Sequence, residues 1–158
     1  MSTFDIGSPI LTLAVFPFLW AAALYFLSLL SGWAVLAEHY RSDKALFGSK
    51  SRFRSMSIGR GSIMDVNFSS VVTLETDTTS IAISLFFPFS FFHPRLVIPL
   101  TDLTAEEHRY FGFIKMVRLS FARSPAIKIT ASRSWVRWIE ENSNRRWQMS
   151  ITSGANEN

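Results

Sequence analysis

From Ile6 to Ala37 the chain carries no charged side chain, whereas beyond residue 50 apolar and polar residues alternate in short runs. The two patterns divide the chain. The opening stretch, PILTLAVFPFLWAAALYFLSLLSGWAVLA, exceeds the roughly 20 apolar residues that carry a helix across about 30 Å of hydrocarbon. Lipid offers backbone groups no partner, so the run is predicted as a helix. Pro17, between Phe16 and Phe18, predicts a local kink. Trp33 and Tyr40 suit the membrane–water boundary at the far end. Ser28, Ser31, Gly32 and Ala34 form a small-residue patch that, with the kink at Pro17, suits packing on another helix. A signal peptide should open with bases ahead of a short apolar core. MSTFDIGSP has no Lys or Arg, so residues 1–40 are read as a retained N-terminal transmembrane anchor.

Residues 41–50 are small and polar and read as a connector; residues 51–148 read as one β-rich domain with a terminal helix, and 149–158 as a flexible tail. Arg52 to Ile58 alternates with period two. VVTLET (71–76) and IAISLFF (81–87), separated by DTTS, read as a hairpin. LVIPL (96–100) is a further strand, which Pro99 assigns to an edge or a bulge. YFGFIKMVRLSF (110–121) alternates over one long stretch, Ser124-Pro125 turns, and AIKIT (126–130) is the last strand. Ser132 then N-caps SRSWVRWIEENSN, with Trp135, Trp138 and Ile139 on one face and Arg137 paired to Glu141 on the other. The fold class is therefore α+β: one membrane helix, then a small antiparallel barrel or sandwich closed by an amphipathic helix.

Charge orients this arrangement. All sixteen Lys and Arg lie from Arg41 onward, against eleven acids, a net of about +5 outside the hydrophobic run. Arg41, Lys44, Lys50, Arg52, Arg54 and Arg60 follow the helix and no base precedes it. The positive-inside rule places the N-terminus outside and the domain on the cytoplasmic side of the inner membrane. Arg41, Arg52, Arg54 and Arg60 then face anionic headgroups. Five Phe crowd into residues 85–92. Phe89, Phe91 and Phe92 are candidates for a second membrane contact, a dry patch for another subunit, or plain core.

Catalytic chemistry finds little to stand on. The chain has no Cys, which excludes disulfides and thiol chemistry. His39, His93 and His108 lack metal-ligand spacing, and the Gly59-Arg60-Gly61-Ser62 stretch lacks the Lys-Ser/Thr ending of a phosphate loop. Glu106-Glu107 and Glu140-Glu141 are sequence neighbours that do not converge on one face. Lys115 and Arg118 fall on opposite faces of a strand, which argues against a nucleic-acid platform. No catalytic residue, cofactor, metal, nucleic acid or small-molecule substrate is expected.

The stretch Gly32-Trp33-Ala34-Val35-Leu36-Ala37-Glu38-His39-Tyr40-Arg41 resembles one in small, uncharacterised bacterial single-pass membrane proteins. Phe92-His93-Pro94-Arg95-Leu96-Val97-Ile98-Pro99-Leu100 is similar to their His-Pro-Pro-Leu, Ile-Pro-Trp stretch, with Arg95 for the second Pro and Leu100 for the Trp. The resemblance covers roughly residues 32–103. Strands followed by one amphipathic helix, and the IPL-T-D-L segment, resemble pleckstrin-homology-like domains, which implies a lipid- or protein-binding module. Two functions follow as expectations. One is a non-catalytic, membrane-anchored binding or scaffold protein that contacts the bilayer or a protein partner. The other is an accessory subunit of a larger respiratory or photosynthetic complex.

Overall fold

In the computed structural model, which describes residues 7–61, 65–110 and 114–143, the uncharged run folds as two helices rather than one. The first, α1, spans Gly7–Ser31 and continues through Pro17. It stops at Gly32, whose φ of 77° lies in the left-handed region that favours glycine. A Cβ at this position would sit 2.3 Å from Ile127 Cδ1, so the glycine also permits a close approach to the β domain. Leu13–Ser31 has a mean hydropathy of 2.1, is 11% buried, and is long and apolar enough to cross a membrane.

Helix α2, Trp33–Tyr40, has different surroundings. Trp33, Leu36 and Tyr40 are buried in the core of the β domain. Trp33 and Tyr40, expected at the membrane boundary, are thus corrected to core residues. Their polar atoms find protein partners in place of headgroups: Trp33 Nε1 donates to Pro94 O at 3.0 Å, and Tyr40 Oη accepts the Arg123 N–H at 3.1 Å. Burial raises the Tyr40 hydroxyl above its ordinary pKa; Asp102 adds to this, and the Arg123 N–H opposes it.

Seven strands follow: β1 Ser49–Gly59, β2 Val66–Thr76, β3 Ser80–Leu85, β4 Leu96–Pro99, β5 Leu103–Tyr110, β6 Ile114–Phe121 and β7 Lys128–Ser132. All pair antiparallel in one sheet of order β4-β3-β2-β1-β7-β6-β5. The edge strands β4 and β5 are joined by a single 3-10 turn, Leu100–Asp102, which is possible only because the sheet curls. The concave side holds Ile58, Val72, Leu74, Ile83, Leu119 and Ile129. Helix α3, Arg133–Asn142, packs on β6 and β7 through Trp135, Val136 and Ile139, with Trp138 half-buried beside them.

The local chemistry explains the hairpin and the edges. Asp77 Oδ1 accepts the N–H groups of Thr79 and Ser80 at 2.8 and 2.7 Å and so fixes the β2–β3 turn. Burial pushes its carboxyl up, but these N–H bonds outweigh it and hold the pKa low. Pro99 does lie on an edge strand. The long strand expected over 110–121 is instead two strands, with Tyr110 opposite Ile114; the segment between them lies outside the described residues. Ser132 caps α3 by position, yet its hydroxyl contacts Ser134 Oγ at 2.6 Å rather than a helix N–H. Arg137 and Glu141 form no ion pair; Arg133 pairs with Glu107 across to β5. The tail at 149–158 lies outside the described residues.

Candidate functional site

The ten residues between β3 and β4, Phe86 to Arg95, reach the core through Phe89 and His93. They run back along α1. Phe89 meets Trp20 with ring centroids 6.1 Å apart, and Phe92 meets Tyr25 edge-on at 5.7 Å. Ser28 Oγ donates to Phe92 O at 2.8 Å. Trp20 and Ser28 both lie in the apolar span. Eight residues at 1.5 Å each mean that the loop accompanies about 12 Å of the helix.

The loop satisfies most of its own backbone. The N–H groups of Phe89, Phe91 and His93 bond the carbonyls of Phe86, Pro88 and Ser90, and Phe86 N–H bonds Val71 O. His93 Nδ1 donates to Phe91 O at 3.0 Å, Ser28 covers Phe92 O, and Trp33 covers Pro94 O. Internal pairing of this kind lowers the cost of irregular backbone in an apolar medium. His93 is the keystone. Its ring is 1% exposed and lies edge-on between Trp33 and Phe68, with centroids at 5.3 and 5.4 Å. Burial lowers its pKa against the pull of the Phe91 and Phe89 carbonyls, so the ring is neutral at pH 7. Nε2 has no partner among the described residues.

Phe86, Phe87, Phe91 and Phe92 are exposed, whereas Phe89 is half-buried against the core. Phe53 joins them from β1. It sits where the β1–β2 register slips, at a φ of 57°, and its exposed ring lies 6.5 Å from Phe86. The sequence offered one sign of this: an aromatic in Arg-Phe-Arg occupies an alternation step where a polar residue was due.

The arginines do not form one patch. Arg52 is exposed and makes no hydrogen bond or ion pair among the described residues; it lines a notch of about 320 Å³ with Lys50, Phe53, Phe86 and Phe87. Arg54 is held by Ser51 Oγ at 2.8 Å and Ser134 Oγ at 3.3 Å, and lines a separate groove of about 660 Å³ with Ser57, Asn67, Thr130 and Trp135. Arg60 is exposed at the β1–β2 turn. The Arg41 side chain is exposed while its backbone bridges Leu96 at the sheet edge. Of the residues expected to pack on a foreign helix, Ser28 and Gly32 face this chain's own loop and Ile127. Pro17 lies inside α1, in its exposed part.

Among the described residues no three His, Asp or Glu side chains gather as a metal site. Glu75 is paired twice: Lys50 and Arg95 each reach it at 2.6 Å. Burial raises the Glu75 pKa, but the two cations overcome this and leave it lowered. No family model matches the chain, and no curated protein or solved structure matches it significantly.

Proposed function

We propose that the protein is a membrane-tethered, non-catalytic binding module. Helix α1 crosses the bilayer with its N-terminus outside, and the curled sheet with α3, a pleckstrin-homology-like arrangement, rests on the cytoplasmic face. The Phe-rich loop dips into the same leaflet beside α1. One observation carries this reading: the loop packs along α1 from Ser28 to Trp20, inside the span itself. Whatever medium surrounds that part of the helix also surrounds the loop. The loop presents four exposed Phe rings to it and keeps most of its backbone bonds inside. The basic flank supports the orientation. For the alternative of an accessory subunit, two of the residues assigned to packing on a foreign helix, Ser28 and Gly32, are used within the chain, while Pro17 remains exposed.

The absence of Cys makes the test direct. Phe91→Cys and Arg137→Cys, each in the full chain, are exposed to a membrane-impermeant maleimide in inside-out vesicles. Arg137→Cys should label rapidly and Phe91→Cys should be protected until detergent is added. Equal labelling of the two before detergent would remove the loop from the bilayer. Loss of the unsubstituted chain to an alkaline carbonate wash would remove the anchor as well.

A further inference from the structure

We infer that the notch between the β1 bulge and the Phe-rich loop is a seat for one anionic glycerophospholipid, with its phosphate at Arg52 and its acyl chains along Phe53, Phe86 and Phe87. The inference rests on the reading that the loop lies in lipid, and adds to it a specific headgroup class.

The notch is ordered like the ligand. Register fixes the order: Lys50 lies opposite Glu75, Glu75 opposite Ala82, and Leu85, which precedes the loop, opposite Val72. Three residues of strand separate the level of Lys50 from the start of the loop, about 10 Å. Lys50 thus stands at the end far from the loop, Arg52 between it and Phe53, and the aromatics at the end that continues toward α1. That is the sense in which a lipid in the same leaflet presents its headgroup and chains.

Charge selects the headgroup. Lys50 and Arg95 are committed to Glu75, so the acid in this neighbourhood is already neutralised twice over. Arg52, with no partner among the described residues, is the cation left to answer an added anion. Its guanidinium suits a phosphate oxygen pair. Phe53 supplies a second, independent sign. A Phe held at a φ of 57° with its ring 69% exposed gains neither backbone ease nor core burial from that pose. Backbone strain of this kind clusters at ligand-binding surfaces.

The test uses the full chain in a mild non-ionic detergent, with phosphatidylglycerol and phosphatidylcholine of identical chains added and retained lipid counted by native mass spectrometry. Phosphatidylglycerol should be retained preferentially. Arg52→Glu should lower its retention about tenfold relative to the charge-matched Arg137→Glu on α3. Phe53→Ser should lower retention of both lipids. Equal retention of the two lipids, or equal behaviour of Arg52→Glu and Arg137→Glu, would each overturn the inference. If the unsubstituted chain still resists carbonate in either of those cases, only the lipid seat falls. If it washes off, the anchor falls with it.

Discussion

Helices α1 and α2 come from one uncharged run, yet they end in opposite surroundings. The span in α1 is 11% buried, whereas α2 buries Trp33, Leu36 and Tyr40 against the curled sheet. Trp20 and Trp33 make the contrast within one residue type. The first remains 38% exposed beside Phe89; the second is fully buried and bonds Pro94 O. What separates them is Gly32, whose left-handed φ ends one helix and starts the other. Absence of charge marks an apolar environment, but lipid and protein core are equally apolar. An aromatic side chain with one polar atom satisfies either a headgroup boundary or a core with a backbone acceptor at its rim.

The sharpest way to break this comparison is to truncate both tryptophans. Trp33→Ala removes a fully buried ring from the core cluster and should destabilise the β domain by about 3–5 kcal/mol. Trp20→Ala should leave the thermal midpoint of the domain in detergent nearly unchanged. Near-UV circular dichroism during thermal unfolding reads both. Equal losses would mean that α1 belongs to the domain as much as α2 does. The junction comes next. Gly32→Ala must adopt a φ of 77° and push Ile127 Cδ1 from 2.3 Å. The left-handed pose costs about 1–2 kcal/mol for a residue with a Cβ, and moving Ile127 adds to this. A variant as stable as the unsubstituted chain would show that the helix break does not depend on glycine.

The legible parts of the sequence were those where one local rule decides. The Asp77 turn between β2 and β3, the edge position of Pro99, and the face of α3 bearing Trp135 and Ile139 all follow from local spacing. Strand β5 was hard to read because Leu103 and Ala105, which face the core, stand among the Thr, Glu and Arg residues of a charged edge. The first half of β2 was missed because Asn67, Ser69 and Ser70 mute its alternation. At the site, the Phe cluster and Arg52 were visible, but their relation was not. It depends on the β1 bulge at Phe53 and on the loop doubling back along α1, neither of which has a periodic signature. Arg54 was grouped with Arg52 by adjacency, and the bulge sends it toward Ser134 instead.

His93 sharpens the comparison with a pH dependence. It sits where α2, the loop and β2 meet, and its pKa is lowered on folding. The unfolded chain therefore binds a proton more readily than the folded one. Stability should be constant above the unfolded value of about 6.5 and fall as pH drops below it, by at most about 1.4 kcal/mol per pH unit, until the folded value is reached. His93→Phe should remove that acid loss at the expense of the bond to Phe91 O. Urea midpoints between pH 7 and pH 5 measure it. An unchanged slope in the variant would assign the acid sensitivity to other groups.

The smallest expected effect on stability tests the loop most directly. Phe87 is 64% exposed and contacts Phe91 at the loop surface. Phe87→Ser should shift the unfolding midpoint of the detergent-solubilised chain by no more than about 0.5 kcal/mol, as for other exposed positions. Phe89→Ser, which cuts into the half-buried contact with Trp20 and the core, should shift it more. In a bilayer the ranking should reverse for immersion. The Phe87 change places a hydroxyl where a ring met hydrocarbon, while the Phe89 change is shielded by α1. A spin label at position 86 reports depth through its exposure to oxygen, which concentrates in the hydrocarbon. Phe87→Ser should lower that exposure and Phe89→Ser should alter it less. If neither substitution moves the label, the exposed rings are not in lipid, and the bare surface of α1 would then be the only part of the described chain that calls for a membrane.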